Sequence, residues 1–287
     1  MLWGLFALAA GLTYCGQAEI NKHYKLCGFQ LNTVRSLFAF LFLIPLIPFM
    51  EWPSYYEYYI AVLLEASISV VCMMAQYNLA AKRNGRIACL HQPIAIVVTF
   101  ILWLGWDNSQ LTFLMNNKDN LGAILIGFLV FIVSIQFMRK NDAGWSALLS
   151  VLPIAVLYSI MSVISKIALE HGESLLQISL NFVFLCNLFM FLLSLPVYQK
   201  KKEAILNKKT LYIGSFYISF FHTVSWILCC IAIILTPNPA YVAVITGLAP
   251  IWFMIYYKLK NIPDDSSPVA GLFMSIAAII VLLATNN

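Results

Sequence analysis

Two titratable side chains stand inside long apolar runs, Glu65 in YYIAVLLEASISVV and His222 in SFYISFFHTVSW, and no Lys, Arg or His flanks Glu65 in its run. An ionisable group at the centre of a membrane helix costs roughly 2.5–3.5 kcal/mol for Asp, Lys or Arg, so such a residue is expected to have a use. A carboxyl group and an imidazole can take up and release a proton when their surroundings change. The carboxylate can equally hold a substrate's ammonium group, with Tyr77 or Trp226 adding cation–π attraction. A third reading is structural: Glu65 hydrogen-bonded between helices as glue, and His222 a satisfied core residue.

Other polar residues sit where they can join such a site. His91 and Gln92 precede Pro93 in CLHQPIAIVV and are polar enough to face a cavity. Arg35 lies early in the second apolar run, where it can capture a carboxylate or phosphate or simply snorkel to the interface. Tyr14 and Lys22 bound the stretch YCGQAEINK, and Tyr158 and Lys166 bound YSIMSVISK at the same internal spacing. The tyrosines are candidates for touching a solute; the lysines read as interfacial anchors or as guards at the mouths of a pathway. Pro93 and Pro250 each remove a backbone donor inside an apolar run, which predicts a bend, and a hinge, at matching places.

Several chemistries have no residues to carry them. The sequence contains no HExxH, no paired Asp motif and no GxxxxGK[ST] phosphate loop, so metalloprotease chemistry and ATP-driven work are not expected. The seven cysteines include no CxxC pair and keep no histidine-rich company, so core filling is expected rather than a disulfide framework or zinc site. Neither a cofactor nor a metal is expected.

The elements that position these residues follow from composition. The chain has 287 residues, of which 62% are hydrophobic and 10% charged, with a mean hydropathy of +0.85; soluble domains carry about 25% charged residues. So much apolar surface cannot be hidden in water, and an all-α integral membrane protein is predicted. Apolar runs near 2–21, 30–50, 57–81, 86–105, 119–138, 145–169, 174–197, 210–235, 239–257 and 268–285 predict ten spans. Fourteen of the seventeen Lys and Arg fall in loops after odd-numbered spans, and Lys118 alone in a loop after an even-numbered one. Lys and Arg mark cytoplasmic loops, so both termini are predicted outside the cytoplasm, in a multi-pass protein of a bacterial inner or plasma membrane. The net charge of +5 is read as topology and attraction to membrane lipid, with no nucleic-acid partner.

The chain also repeats itself. Tyr14 and Lys22 recur as Tyr158 and Lys166 at an offset of 144 residues, Pro93 recurs as Pro250 at 157, and the same 157 pairs Glu65 with His222. Two five-helix units result, 1–140 and 144–287. Five is odd, so the second enters the membrane from the opposite side. Inverted repeats of this kind characterise secondary transporters, whose midplane site lies between the halves.

Ten spans in two halves, an aromatic residue followed eight positions later by Lys in the first helix of each half, Arg35 early in the second span, and a Pro in the fourth helix of each half resemble the drug/metabolite transporter superfamily, in particular its EamA-like members. Where those usually have Trp-Gly, this sequence has Tyr14-Cys15 and Tyr158-Ser159. The resemblance implies alternating access through a central cavity lined by the third and eighth helices, where Glu65 and His222 stand. The expected function is a secondary active transporter, working as a monomer on a small polar metabolite, with a proton or counter-solute as coupling partner. An amino acid or similar zwitterion is favoured because Glu65, His222 and Arg35 include both signs; a quaternary amine or a lipid-linked sugar is the alternative. From another class, the rival is an intramembrane enzyme using Glu65 and His222 as acid and base.

Overall fold

The computed structural model describes residues 1–24, 26, 28–82, 91–137, 145–200, 208–262 and 267–285. Apolar surroundings leave a backbone no partner but itself, and helix satisfies it locally; accordingly, no strand occurs among the described residues. The helices are α1 (Leu2–Tyr24), α2 (Gly28–Leu43, continued by the 3-10 turn Ile44–Phe49), α3 (Tyr56–Lys82), α4 (Gln92–Trp106), α5 (Asn108–Asn116) and α6 (Lys118–Phe137). They continue with α7 (Trp145–Leu169), α8 (Leu175–Lys200), α9 (Lys208–Leu235), α10 (Pro239–Thr246), α11 (Ala249–Leu259) and α12 (Pro268–Ala284).

Among the described residues, seven helical stretches are long and apolar enough to cross a membrane, and α4 with α5 makes an eighth if that pair, bent by 105°, counts as one span. α1 has the length but ends in the polar YCGQAEINK, and α12 is apolar with 17 residues. Leu5, Ile101, Leu129 and Leu272 are exposed on the outside of the bundle, where a lipid-facing surface needs them. The fold is that of an all-α, multi-pass membrane protein.

Two expectations change and a third gains detail. The stretch 106–118, expected as a loop, contains α5, because the Asp107 side chain caps it by accepting from the Ser109 and Gln110 backbone N–H groups. Pro93 and Pro250 each stand second in a helix, α4 and α11. A missing N–H is harmless there, because first-turn donors have no intrahelical partner. The span Pro239–Leu259 that contains Pro250 is interrupted at Gly247 and Leu248, just before the proline. The apolar run 86–105 is helical from Gln92; ahead of Pro93, residues 83–90, with Arg83 and Arg86, lie outside the described residues, as do 138–144 with Arg139 and Lys140, and 201–207 with Lys201 and Lys202.

In lipid the hydrophobic effect does not drive helices together, so close approach and polar contacts must. α1 and α9 run antiparallel: Ser225 Oγ donates to the Ala10 carbonyl at 2.8 Å, His222 meets Gln17, and Gly214 faces Tyr24. α3 and α7 do the same, Ser69 meeting Met161 and Cys72 meeting the Ile154 carbonyl. α2 packs on α8, and α6 on α12. Gly11 lets α10 come close: a Cβ there would lie 3.2 Å from the Thr246 carbonyl oxygen.

Candidate functional site

α1, α3, α4, α7, α9 and α10 enclose a cavity of about 140 Å³. Each helix of this wall shows it one stripe: Ala10, Tyr14 and Gln17 on α1; Glu65 and Met73 on α3; His91, at the cap of α4, with Gln92, Ala95 and Thr99; Tyr158, Met161, Ser162 and Ser165 on α7; His222, Ser225, Trp226, Cys229 and Ile233 on α9; Pro239, Val242, Ala243 and Thr246 on α10. Spacings of three, four and seven put residues on one helical face. The structure therefore brings together Tyr14, Glu65, His91, Gln92, Tyr158, His222 and Trp226 from the residues singled out above.

Glu65 is buried, and the Ser165 hydroxyl lies within hydrogen-bonding reach of its carboxyl group. Its Oε2 has no hydrogen-bond partner among the described residues. Among the described residues the one salt bridge is Lys166–Glu170, so no side chain there neutralises Glu65. His222 Nδ1 lies 3.2 Å from Gln17 Oε1. Gln17 Nε2 donates to the Tyr77 hydroxyl at 2.9 Å, which turns the amide oxygen toward the imidazole. Nδ1 therefore carries the proton, and in the neutral ring Nε2 is an acceptor; it, too, has no partner among the described residues. Gln92 Oε1 is the third such atom on the cavity wall.

Aromatic rings hold these groups in place. The Tyr158 ring lies 4.7 Å from His91, Trp226 packs edge-on to His222 at 5.3 Å, and Gln76 Nε2 donates to the Tyr14 hydroxyl at 2.7 Å. Tyr77 does not line the cavity; it stands one layer behind and orients Gln17. Arg35 does not line it either. It is fully buried between α2 and α8, its guanidinium donating to Asn32 Oδ1 at 3.2 Å, Ser36 Oγ at 3.1 Å and Asn187 Oδ1 at 3.4 Å, with Met190 Sδ at 3.8 Å. Of the three groups on which the zwitterion reading rested, Glu65 and His222 are at the wall and Arg35 is not.

The lysines stand at opposite ends of the antiparallel α1–α9 pair. Lys22 Nζ donates to the Tyr257 hydroxyl at 2.8 Å, and that hydroxyl donates to Glu19 Oε2 at 2.9 Å, tying α1 to α11. Lys166 Nζ donates to the Ile234 carbonyl at the end of α9 at 3.1 Å, pairs with Glu170 at 3.1 Å, and lies 5.9 Å from the Trp103 ring of α4. Pro93 and Pro250 open helices beside the wall without lining the cavity.

Sequence reasoning did not find Gln17, Ser162, Ser165, Ser225, Thr99 or Thr246, all of which line the cavity. The signal was spacing: Gln17 is three residues from Tyr14, Ser162 and Ser165 are four and seven from Tyr158, and Ser225 is three from His222. No group of three or more His, Cys, Asp or Glu arranged for a metal occurs among the described residues.

No family model and no curated protein matches this chain. A solved crystal structure is similar over 99% of this chain and 97% of its own, with a TM-score of 0.71 at 11% sequence identity, a likeness that speaks for a shared helical fold alone.

Proposed function

We propose that this protein is a secondary active transporter of the drug/metabolite type, in which ten spans form two inverted five-helix halves, 1–140 and 144–287, that present a central solute site to each side of the membrane in turn. One observation carries the reading: the cavity wall is made by α1, α3 and α4 from the first half and by α7, α9 and α10 from the second, the corresponding helices of each. Inverted halves that share one site can exchange conformations, which is how alternating access works.

The packing supports the same reading, because contacts come in exchanged pairs. α1 lies on α9 and α7 on α3; α2 meets α9 as α8 meets α3; α4 rests on α7 as α10 rests on α1. Cys15 Sγ donates to the Ala249 carbonyl of α11 at 3.2 Å, and Ser159 Oγ, its partner at the 144-residue offset, donates to the Ala95 carbonyl of α4 at 3.0 Å. Lys22 with Tyr257 and Lys166 with Trp103 repeat the relation at the two ends. In this reading both termini face away from the cytoplasm of a bacterial cell, and Glu65, with no ion-pair partner among the described residues, exchanges the coupling proton.

The test is solute exchange by purified protein in liposomes. A carrier accelerates uptake of labelled solute when unlabelled solute is trapped inside. An intramembrane enzyme instead returns a chemically altered product, which would overturn the proposal.

A further inference from the structure

We infer that the cavity takes a small primary ammonium compound that bears no carboxylate. The inference rests on the transport reading only for what happens after binding. Three residues from three helices of the cavity wall each carry an atom with no partner among the described residues: Glu65 Oε2 on α3, Gln92 Oε1 on α4 and His222 Nε2 on α9. The first is a carboxylate oxygen, the second an amide oxygen, and the third a bare ring nitrogen once Gln17 has fixed the tautomer. All three accept. A buried acceptor without a donor is costly, more so when charged, so the wall is complementary to a ligand that brings several N–H donors and a positive charge. A primary ammonium brings three donors.

The same wall discriminates. A quaternary amine meets the carboxylate with charge but has no N–H for Gln92 or His222, and sites built to hydrogen-bond a group reject analogues lacking it. A zwitterion brings a carboxylate toward Glu65, while Arg35, the cation that would receive it, is enclosed by Asn32, Ser36, Asn187 and Met190 and is not among the residues that line the cavity. The Trp226 and Tyr158 rings supply faces for the cation beside the acceptors. A cavity of about 140 Å³ suits a molecule no larger than about a benzene ring.

Titration calorimetry on the purified protein in detergent at neutral pH tests this with four matched probes: ethanolamine, ethylene glycol, choline and serine. Ethanolamine is expected to bind in the millimolar range or tighter, with each of the other three at least about tenfold weaker. Glu65→Gln is expected to weaken ethanolamine at least about tenfold, and Gln92→Leu, on the facing helix, about three- to tenfold, each with an unchanged melting temperature. Serine or choline binding as tightly as ethanolamine, no binding of ethanolamine, or undiminished binding by both variants would overturn the inference. Ethanolamine that binds but never crosses the bilayer sinks the transport reading and leaves this one standing. Exchange of another solute by protein that ignores ethanolamine does the reverse.

Discussion

Glu65 and Arg35 look alike by every simple measure, each ionisable, each within an apolar helix, each almost wholly inaccessible. Their neighbourhoods differ. Arg35 is enclosed by Asn32, Ser36, Asn187 and Met190, and its backbone carbonyl accepts from Ser219 at 2.8 Å, so its charge is spent inside the joint of α2, α8 and α9. Each keeps one polar atom without a partner among the described residues, Arg35 Nε and Glu65 Oε2, but only Glu65 belongs to the wall of the cavity. Neither burial of a charge nor an unmet hydrogen-bonding valence therefore marks a site by itself; a place on a cavity wall is what separates the two. Arg35 holds helices together, and Glu65 is the group a ligand of the proposed kind would meet.

Substitutions can break or sharpen this contrast. The largest effect is expected for Arg35→Ala, which opens a gap and strands the Asn32 and Asn187 acceptors: a loss of about 2–4 kcal/mol in stability, read as a lower melting temperature, with solute affinity within about twofold of the parent. Arg35→Met, which refills the volume, should recover most of it. A fall in affinity without a fall in melting temperature would place Arg35 in the site after all. Glu65→Gln should do the opposite, leaving melting unchanged while transport drops at least about tenfold, roughly 1.4 kcal/mol, and loses its pH dependence; transport that keeps its pH profile would remove Glu65 from proton coupling.

Tyr77→Phe tests the layer between them. It removes the hydroxyl that orients Gln17, so the His222 tautomer is no longer fixed, and affinity should fall by about 0.5–1.5 kcal/mol with little change in folding. Substitution without effect on binding would show that His222 Nε2 needs no such support. The smallest effect, about 0.5–1 kcal/mol, is expected from Lys22→Met, which releases the tie to Tyr257 and should change the rate of exchange more than affinity. An equal change in binding would make Lys22 part of the site.

Much of this was legible from apolar runs. α7 matches its predicted span at both ends, because Trp145 and Leu169 are true limits of an apolar run. Glu65, His222, Tyr14 and Tyr158 were visible as chemistry in apolar surroundings, and all four line the cavity. Arg35 offered both a solute-capture and a snorkelling reading, and its place between α2 and α8 was not legible, because sequence shows depth in a helix but not which neighbour the side chain faces. Gln17 and Ser165 escaped notice because amides and hydroxyls raise no alarm in a helix; only their place on the same face as Tyr14 and Tyr158 gives them away. α5 was overlooked because its nine residues are too few to span, although Asp107 ahead of Ser109 is a cap signal.

Counterflow in liposomes tests the central claim most directly. With unlabelled ethanolamine trapped inside, parent protein should drive labelled ethanolamine transiently above its equilibrium level, and Glu65→Gln protein of equal melting temperature should not. Parent protein that binds ethanolamine yet gives the trace of protein-free liposomes would contradict the account.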